Sequence, residues 1–123
     1  MEINQLTELI LRCAYSVHSP LVPGLLESAY EECLYYELKQ VGLLVEKQKP
    51  LPLVYKEIKL EAGYRIDLLV DKRVIIEIKS IESFTDVHTA QVLTYLKLSG
   101  CKIGLLLNFN VVSLKNGIKR LAN

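Results

Sequence analysis

Asp67, Glu77 and Lys79 sit in a stretch whose alternation of residue types fixes where their side chains point. Along 64–70, Ile66, Leu68 and Val70 share one face of an extended chain, while Arg65, Asp67 and Leu69 share the other. Along 74–79, Val74, Ile76 and Ile78 oppose Ile75, Glu77 and Lys79. The apolar sets fall on one side only if Val70 pairs with Val74, which leaves Asp71, Lys72 and Arg73 as a short hairpin loop. Asp67 then lies across from Glu77, with Cβ atoms roughly 4.5–5.5 Å apart. Carboxylates so opposed repel, and a divalent cation between them removes the penalty; their hard oxygens suit Mg2+ or Mn2+. Lys79 shares their face, where an ammonium group positions a water or stabilises charge developing at phosphorus. The chemistry is metal-assisted hydrolysis. The plain alternative is a solvated sheet face, with a diagonal Arg65–Glu77 ion pair. Leu69 and Ile75 share the charged face, so something covers part of it.

Helices must complete such a site. Apolar spacing predicts a helix over 3–17, ended by Pro20 and Pro23, and a second from about Gly24 through Gln40 with Gly42 as its stop. The second carries the apolar stripe Leu26, Ala29, Tyr30, Cys33, Leu34 and Leu38, and puts Glu27 in its first turn, where a carboxylate also suits the helix dipole. Glu31 and Glu32 are expected in solvent. Short strand-like pieces follow at 43–45, 51–55 and 58–60, then the hairpin. A helix over 86–99 is capped by Thr85 or Asp86 and stopped by Gly100. On it His88, Gln91 and Tyr95 share one face, with Gln91 and Tyr95 able to hold phosphate oxygens, while Ala90, Leu93 and Leu96 serve a core-directed stripe. A buried strand at 102–107, a polar loop at 108–110 and a last helical turn or two within 114–121 complete the order, which predicts a mixed α/β fold: a mixed sheet flanked by helices.

Composition bounds the function. A chain of 123 residues, half hydrophobic and 24% charged, is expected to form one globular domain over 1–123. A net charge of +1 speaks mildly against a DNA-packaging or sequence-reading protein. The apolar stretch near residues 9–11 is short and broken by Glu8 and Arg12, so no secretory leader is expected, and no apolar run reaches membrane-spanning length. Cys13, Cys33 and Cys101 form no CxxC pair and read as free thiols of a reducing compartment, hence a cytoplasmic protein; zinc would need four clustered ligands.

Gly24-Leu25-Leu26-Glu27-Ser28-Ala29-Tyr30 resembles the signature of the GxxExxY proteins, a compact branch of the PD-(D/E)XK nuclease superfamily. Asp67 and Glu77-Ile78-Lys79 fall where that superfamily has its acid and its acid-x-lysine, and Gln91-Val92-Leu93-Thr94-Tyr95 resembles the QxxxY motif of its RecB-like branch. The similarity extends to His18, Asn108-Phe109-Asn110 and Gly117-Ile118-Lys119-Arg120. Val22 departs from the usual Gly-Pro-Gly turn, and Ser80 stands where an aliphatic or small residue is usual. The resemblance implies a restriction-endonuclease-like core of helix, antiparallel strands, helix and strand. It implies Asp67, Glu77 and the Ile78 carbonyl as ligands of Mg2+ or Mn2+, Glu27 as an outer acid completing the metal shell, and Lys79 acting on the water or the phosphate. Gln91, Tyr95 and Tyr30 fall to the substrate side.

The expected activity is metal-dependent hydrolysis of nucleic-acid phosphodiesters, with DNA as the favoured partner. The rival is a catalytically silent nucleic-acid- or protein-binding module, for which Lys115, Lys119 and Arg120 would supply phosphate contacts. A domain this small gains footprint by pairing, so a homodimer is a further expectation.

Overall fold

A computed structural model describes residues 1–61 and 63–123. Helix α1 (Ile3–His18) and helix α2 (Glu27–Gln40) precede strands β1 (Val45–Pro50), β2 (Leu53–Tyr55), β3 (Ile58–Leu60), β4 (Arg65–Val70) and β5 (Val74–Lys79). Helix α3 (Asp86–Ser99), strand β6 (Ile103–Asn108), a 3-10 turn (Leu114–Gly117) and strand β7 (Ile118–Ala122) follow. The main sheet has the order β1-β4-β5-β6-β7; β5 and β6 run parallel, joined through α3, and the other pairs are antiparallel. The β2–β3 hairpin stands apart as a separate two-stranded piece.

The helices cover the sheet from both sides. Leu6, Ile10 and Val17 of α1 and Tyr30, Leu34 and Leu38 of α2 pack on Leu68, Val70, Val74, Ile76 and Ile78. Val92, Tyr95 and Leu96 of α3 pack on Ile66, Leu69, Ile75 and Leu106, so Ile66 lies on the opposite side of the sheet from Leu68 and Val70, whose face it was expected to share. The cover expected over Leu69 and Ile75 is therefore α3. Its close approach is set by Gly104 of β6, where a Cβ would lie 2.7 Å from Val92 Cγ1. Of the core stripe expected on α3, Leu96 is buried and Leu93 packs against the same cluster, but Ala90 is exposed, and Val92 and Tyr95 join the buried set.

Three segments differ from the sequence reading. The end of the chain forms β7, paired with β6, where a helical turn was expected. Leu114, Ile118 and Leu121 do have helical spacing, but β6 is buried along its whole length and its free edge needs backbone partners that only another strand supplies. The run Glu46–Pro50, which reads as a charged separator, is most of β1, an edge strand whose Lys47 and Lys49 are exposed, whose Glu46 is half-buried and whose Pro50 stands at its end. Helix α2 begins at Glu27 rather than near Gly24, because Leu26 is extended and 75% exposed.

Candidate active site

The β4–β5 register pairs Val70 with Val74, Leu69 with Ile75 and Leu68 with Ile76. Asp71 and Lys72 both adopt positive φ (50° and 58°), as the mirror-image turns of tight hairpins require, and Arg73 N–H donates to the Val70 carbonyl at 2.9 Å. Past Leu68 the carboxylates take over from the backbone ladder. The Asp67 N–H donates to Glu77 Oε2 at 2.9 Å, and the Ile78 N–H donates to Asp67 Oδ2 at 2.8 Å. The acids thus converge, each held by the other's strand.

Their neighbours come from β1 and α2. Gln48 has φ of +53° and lies between the Lys47–Leu68 and Lys49–Ile66 pairs. Its Nε2 donates to Glu31 Oε1 at 2.8 Å and to Asp67 Oδ1 at 3.2 Å. Glu27, one helical turn before Glu31, accepts the Ser80 N–H at 3.1 Å, while Ser80 Oγ donates to the Leu25 carbonyl at 2.7 Å. Glu27, Ser28, Glu31, Gln48, Asp67 and Ser80 line one groove of about 550 Å3. Glu31 is accordingly a wall of the groove rather than a solvated side chain.

Electrostatics follow from this crowding. Glu77 is 3% exposed; burial, then the charge of Asp67, push its carboxyl up to about 8, against the pull of the Asp67 N–H and of Lys79. Burial also raises Asp67, opposed by the Ile78 N–H, by Gln48 and by Lys79. Glu31 is raised by burial and by Asp67. Lys79 ends β5 beside Asn108 of β6, and its carbonyl accepts the Phe109 N–H at 3.0 Å. Buried Asn108 clamps the chain just beyond: its Oδ1 accepts from Ile81 and Asn110, and its Nδ2 donates to the Ile81 carbonyl. The diagonal Arg65–Glu77 ion pair is absent among the described residues; Arg65 donates instead to the Gln48 carbonyl.

Among the described residues no three His, Cys, Asp or Glu side chains converge as a metal cluster. The converging donors are the two carboxylates of Asp67 and Glu77, hard oxygens that leave the rest of a cation's shell to a backbone carbonyl or water. Burial first, and the neighbouring Asp67 second, hold the Glu77 proton to about 8, and the charge of Lys79 only partly offsets them. A divalent cation fits that donor set.

The remaining expected residues divide. Gln91 Nε2 donates to the Tyr95 hydroxyl at 3.3 Å, and Tyr95 lies near enough to Glu77 and Asp67 for their charges to add to burial in raising its phenol. Tyr30 is corrected: it is fully buried, stacked on Phe109 with centroids 4.8 Å apart, and its hydroxyl donates to the Val22 carbonyl while accepting the Leu25 N–H. It holds the loop before Glu27 and offers nothing to a substrate. Lys119 and Arg120 are corrected as a joint patch, because neighbours on a strand point oppositely: Lys119 reaches Thr89 of α3, and Arg120 reaches Asn4 of α1. Neither lines the acid groove, and Lys115 sits in the 3-10 turn. His88 accepts the Thr85 N–H as part of the α3 cap.

The family model of the PD-(D/E)XK nuclease superfamily matches residues 4–121. The chain belongs to this superfamily. No curated protein and no solved structure matches it. The five-stranded mixed sheet with its three helices is the restriction-endonuclease-like PD-(D/E)XK fold, and PD-(D/E)XK nucleases generally use divalent metals. No described helix is long and apolar enough to cross a membrane.

Sequence reasoning missed Gln48, Glu31 and the anchoring role of Ser80. Glu31 follows Glu27 by four residues and so shares its helix face, a legible signal. Gln48 had none, because its role depends on a left-handed kink in an edge strand.

Proposed function

We propose that this PD-(D/E)XK domain is a Mg2+- or Mn2+-dependent nuclease of the GxxExxY branch, hydrolysing phosphodiester bonds in DNA. The observation that carries the reading is the reciprocal bonding of Asp67 and Glu77 at the end of β4 and β5, which fixes paired carboxylates beside Lys79. Asp67, Glu77 and the Ile78 carbonyl would hold the cation, with Glu27 outside them. A cation bound there would supply Lewis-acid polarisation of the phosphate and a more acidic water. The rest falls to the chain. Backbone N–H groups orient the acids, so that little reorganisation is needed in the reaction. Lys79 brings positive charge to an otherwise acidic groove and offsets charge building on the phosphoryl oxygens. Gln91 and Tyr95 stand on the α3 side as substrate contacts. Free thiols at Cys13, Cys33 and Cys101 suit a reducing cytoplasm.

Incubation of single- and double-stranded DNA with the protein and Mg2+ or Mn2+ tests the proposal. Cleavage is expected, and Asp67→Ala or Glu77→Ala should lower its rate by about 10²-fold or more, the scale for removing one charge-stabilising group. Undiminished cleavage by these variants would exclude them as catalysts.

A second reading, a silent binding module on the same fold, is favoured by one observation: Gln48 already occupies Asp67 Oδ1. That module would bind DNA equally well with chelator as with metal and would never cut it.

A further inference from the structure

A second hollow, of about 220 Å3, lies between the β2–β3 hairpin and α3, lined by Leu53, Tyr64, Gln91, Thr94, Tyr95 and Leu98. Its chemistry is unlike that of the acid groove. No lining residue is charged, whereas Glu27, Glu31 and Asp67 line the groove. Leu53 and Leu98 supply apolar walls. Tyr64 is 45% exposed, and its ring meets that of buried Tyr95 edge-on, with centroids 6.4 Å apart and planes at 64°, so Tyr95 props a residue that remains open to solvent. The Gln91 amide nitrogen is engaged by the Tyr95 hydroxyl, which leaves its carbonyl oxygen and the Thr94 hydroxyl as polar groups at the rim. Aromatic surface and apolar wall with a few neutral hydrogen-bonding groups match a flat, uncharged ring that is apolar on its faces and polar along its edge.

We infer that this hollow receives one unstacked nucleobase of the strand whose phosphate lies at Asp67 and Glu77. The inference rests on the nuclease reading for its ligand. Continuity supports the placement: Tyr95, which lines the hollow, packs in one cluster with Ile66, the residue before Asp67 on β4, and with Ile75 of β5. Bases paired in a duplex cannot enter, so the enzyme works on single strands or frayed ends. Tyr64 provides the stacking surface, Tyr95 its support, and Gln91 with Thr94 the edge contacts.

The test is a set of single-stranded oligonucleotides in which one abasic position is moved along an otherwise constant strand. With wild-type protein and Mn2+, an abasic residue at one fixed distance from the cut should lower kcat/KM about 10-fold, the scale of one lost base stack. Tyr64→Ala should lower cleavage of the intact strand similarly and abolish the abasic penalty, whereas Tyr64→Phe should retain both. Thr94→Trp, which fills the hollow from an exposed helix position, should act like Tyr64→Ala. Equal cleavage of every abasic strand, or a full penalty persisting in Tyr64→Ala, would overturn the pocket. A parallel anisotropy titration with the same strands and chelator separates the two proposals. If wild-type protein cuts nothing, the nuclease reading fails, and the pocket then stands or falls on whether removing a base weakens binding in wild-type but not in Tyr64→Ala.

Discussion

The two ends of the β4–β5 hairpin are built from the same strands and solve opposite problems. At the turn end, aliphatic pairs from Val70–Val74 to Leu68–Ile76 keep the ladder regular, and Asp71 accepts the Leu44 N–H at 2.9 Å to tie the turn to the chain entering β1. At the other end, carboxylates replace the ladder, β1 kinks at Gln48, and a nearly inaccessible Glu77 stands against a second acid. The difference teaches that the regular end carries the cost of the irregular one: the burial of Glu77 beside Asp67 is tolerated because apolar burial a few residues away holds the register.

Breaking each end separates the contributions. The largest contrast should be in activity: Glu77→Ala loses about 10²-fold or more, while Asp71→Ala cuts DNA at the wild-type rate. Equal losses would mean that the ends act as one unit. Next is Gly117→Ala, whose Cβ would fall 2.1 Å from the carbonyl oxygen of Asn108, the residue that clamps the chain beyond Lys79. Thermal or urea unfolding should show a loss of about 3 kcal/mol, and an unchanged midpoint would remove Asn108 from the site's support.

A smaller effect lies in the pH dependence of stability. Without metal, the folded protein keeps the Glu77 proton up to about 8, while the unfolded chain releases it near the ordinary 4.5. The folded state then binds more protons across that window, so stability falls as pH rises from 4.5 towards 8, by at most about 1.4 kcal/mol per pH unit. Glu77→Gln should flatten the slope; an unaltered slope would place its origin elsewhere. The smallest effect belongs to the turn. Lys72→Gly puts a residue that tolerates positive φ after Asp71 and should raise stability by up to about 1 kcal/mol without changing cleavage. A loss would show that the Lys72 side chain contributes more than its backbone strain.

The β4–β5 register was legible because a slip by one residue would expose Leu68, Val70, Ile76 and Ile78, but strict alternation does not reach the acid: Ile66 packs with Leu69 under α3 rather than with Leu68 and Val70. The helices were legible from apolar spacing and from stops such as Gly42 and Gly100, both at positive φ. What failed depended on partners distant in sequence. β7 exists because β6 needs an edge partner, and Tyr30 faces Phe109 rather than substrate because the loop at Val22 wraps over its hydroxyl. Lys119 and Arg120, expected together as phosphate contacts, are separated by the strand pairing of β7, which sends one to Thr89 and the other to Asn4. Gln48 could not be placed at all while β1 went unrecognised.

Calorimetric titration of Mn2+ into the metal-free protein tests the central claim most directly. One site should fill in the wild type, with protons released as Glu77 ionises, and both heat and proton release should vanish in Asp67→Ala. Binding of the same strength and proton count in that variant, or none in the wild type at millimolar metal, would contradict a cation held between the converging acids.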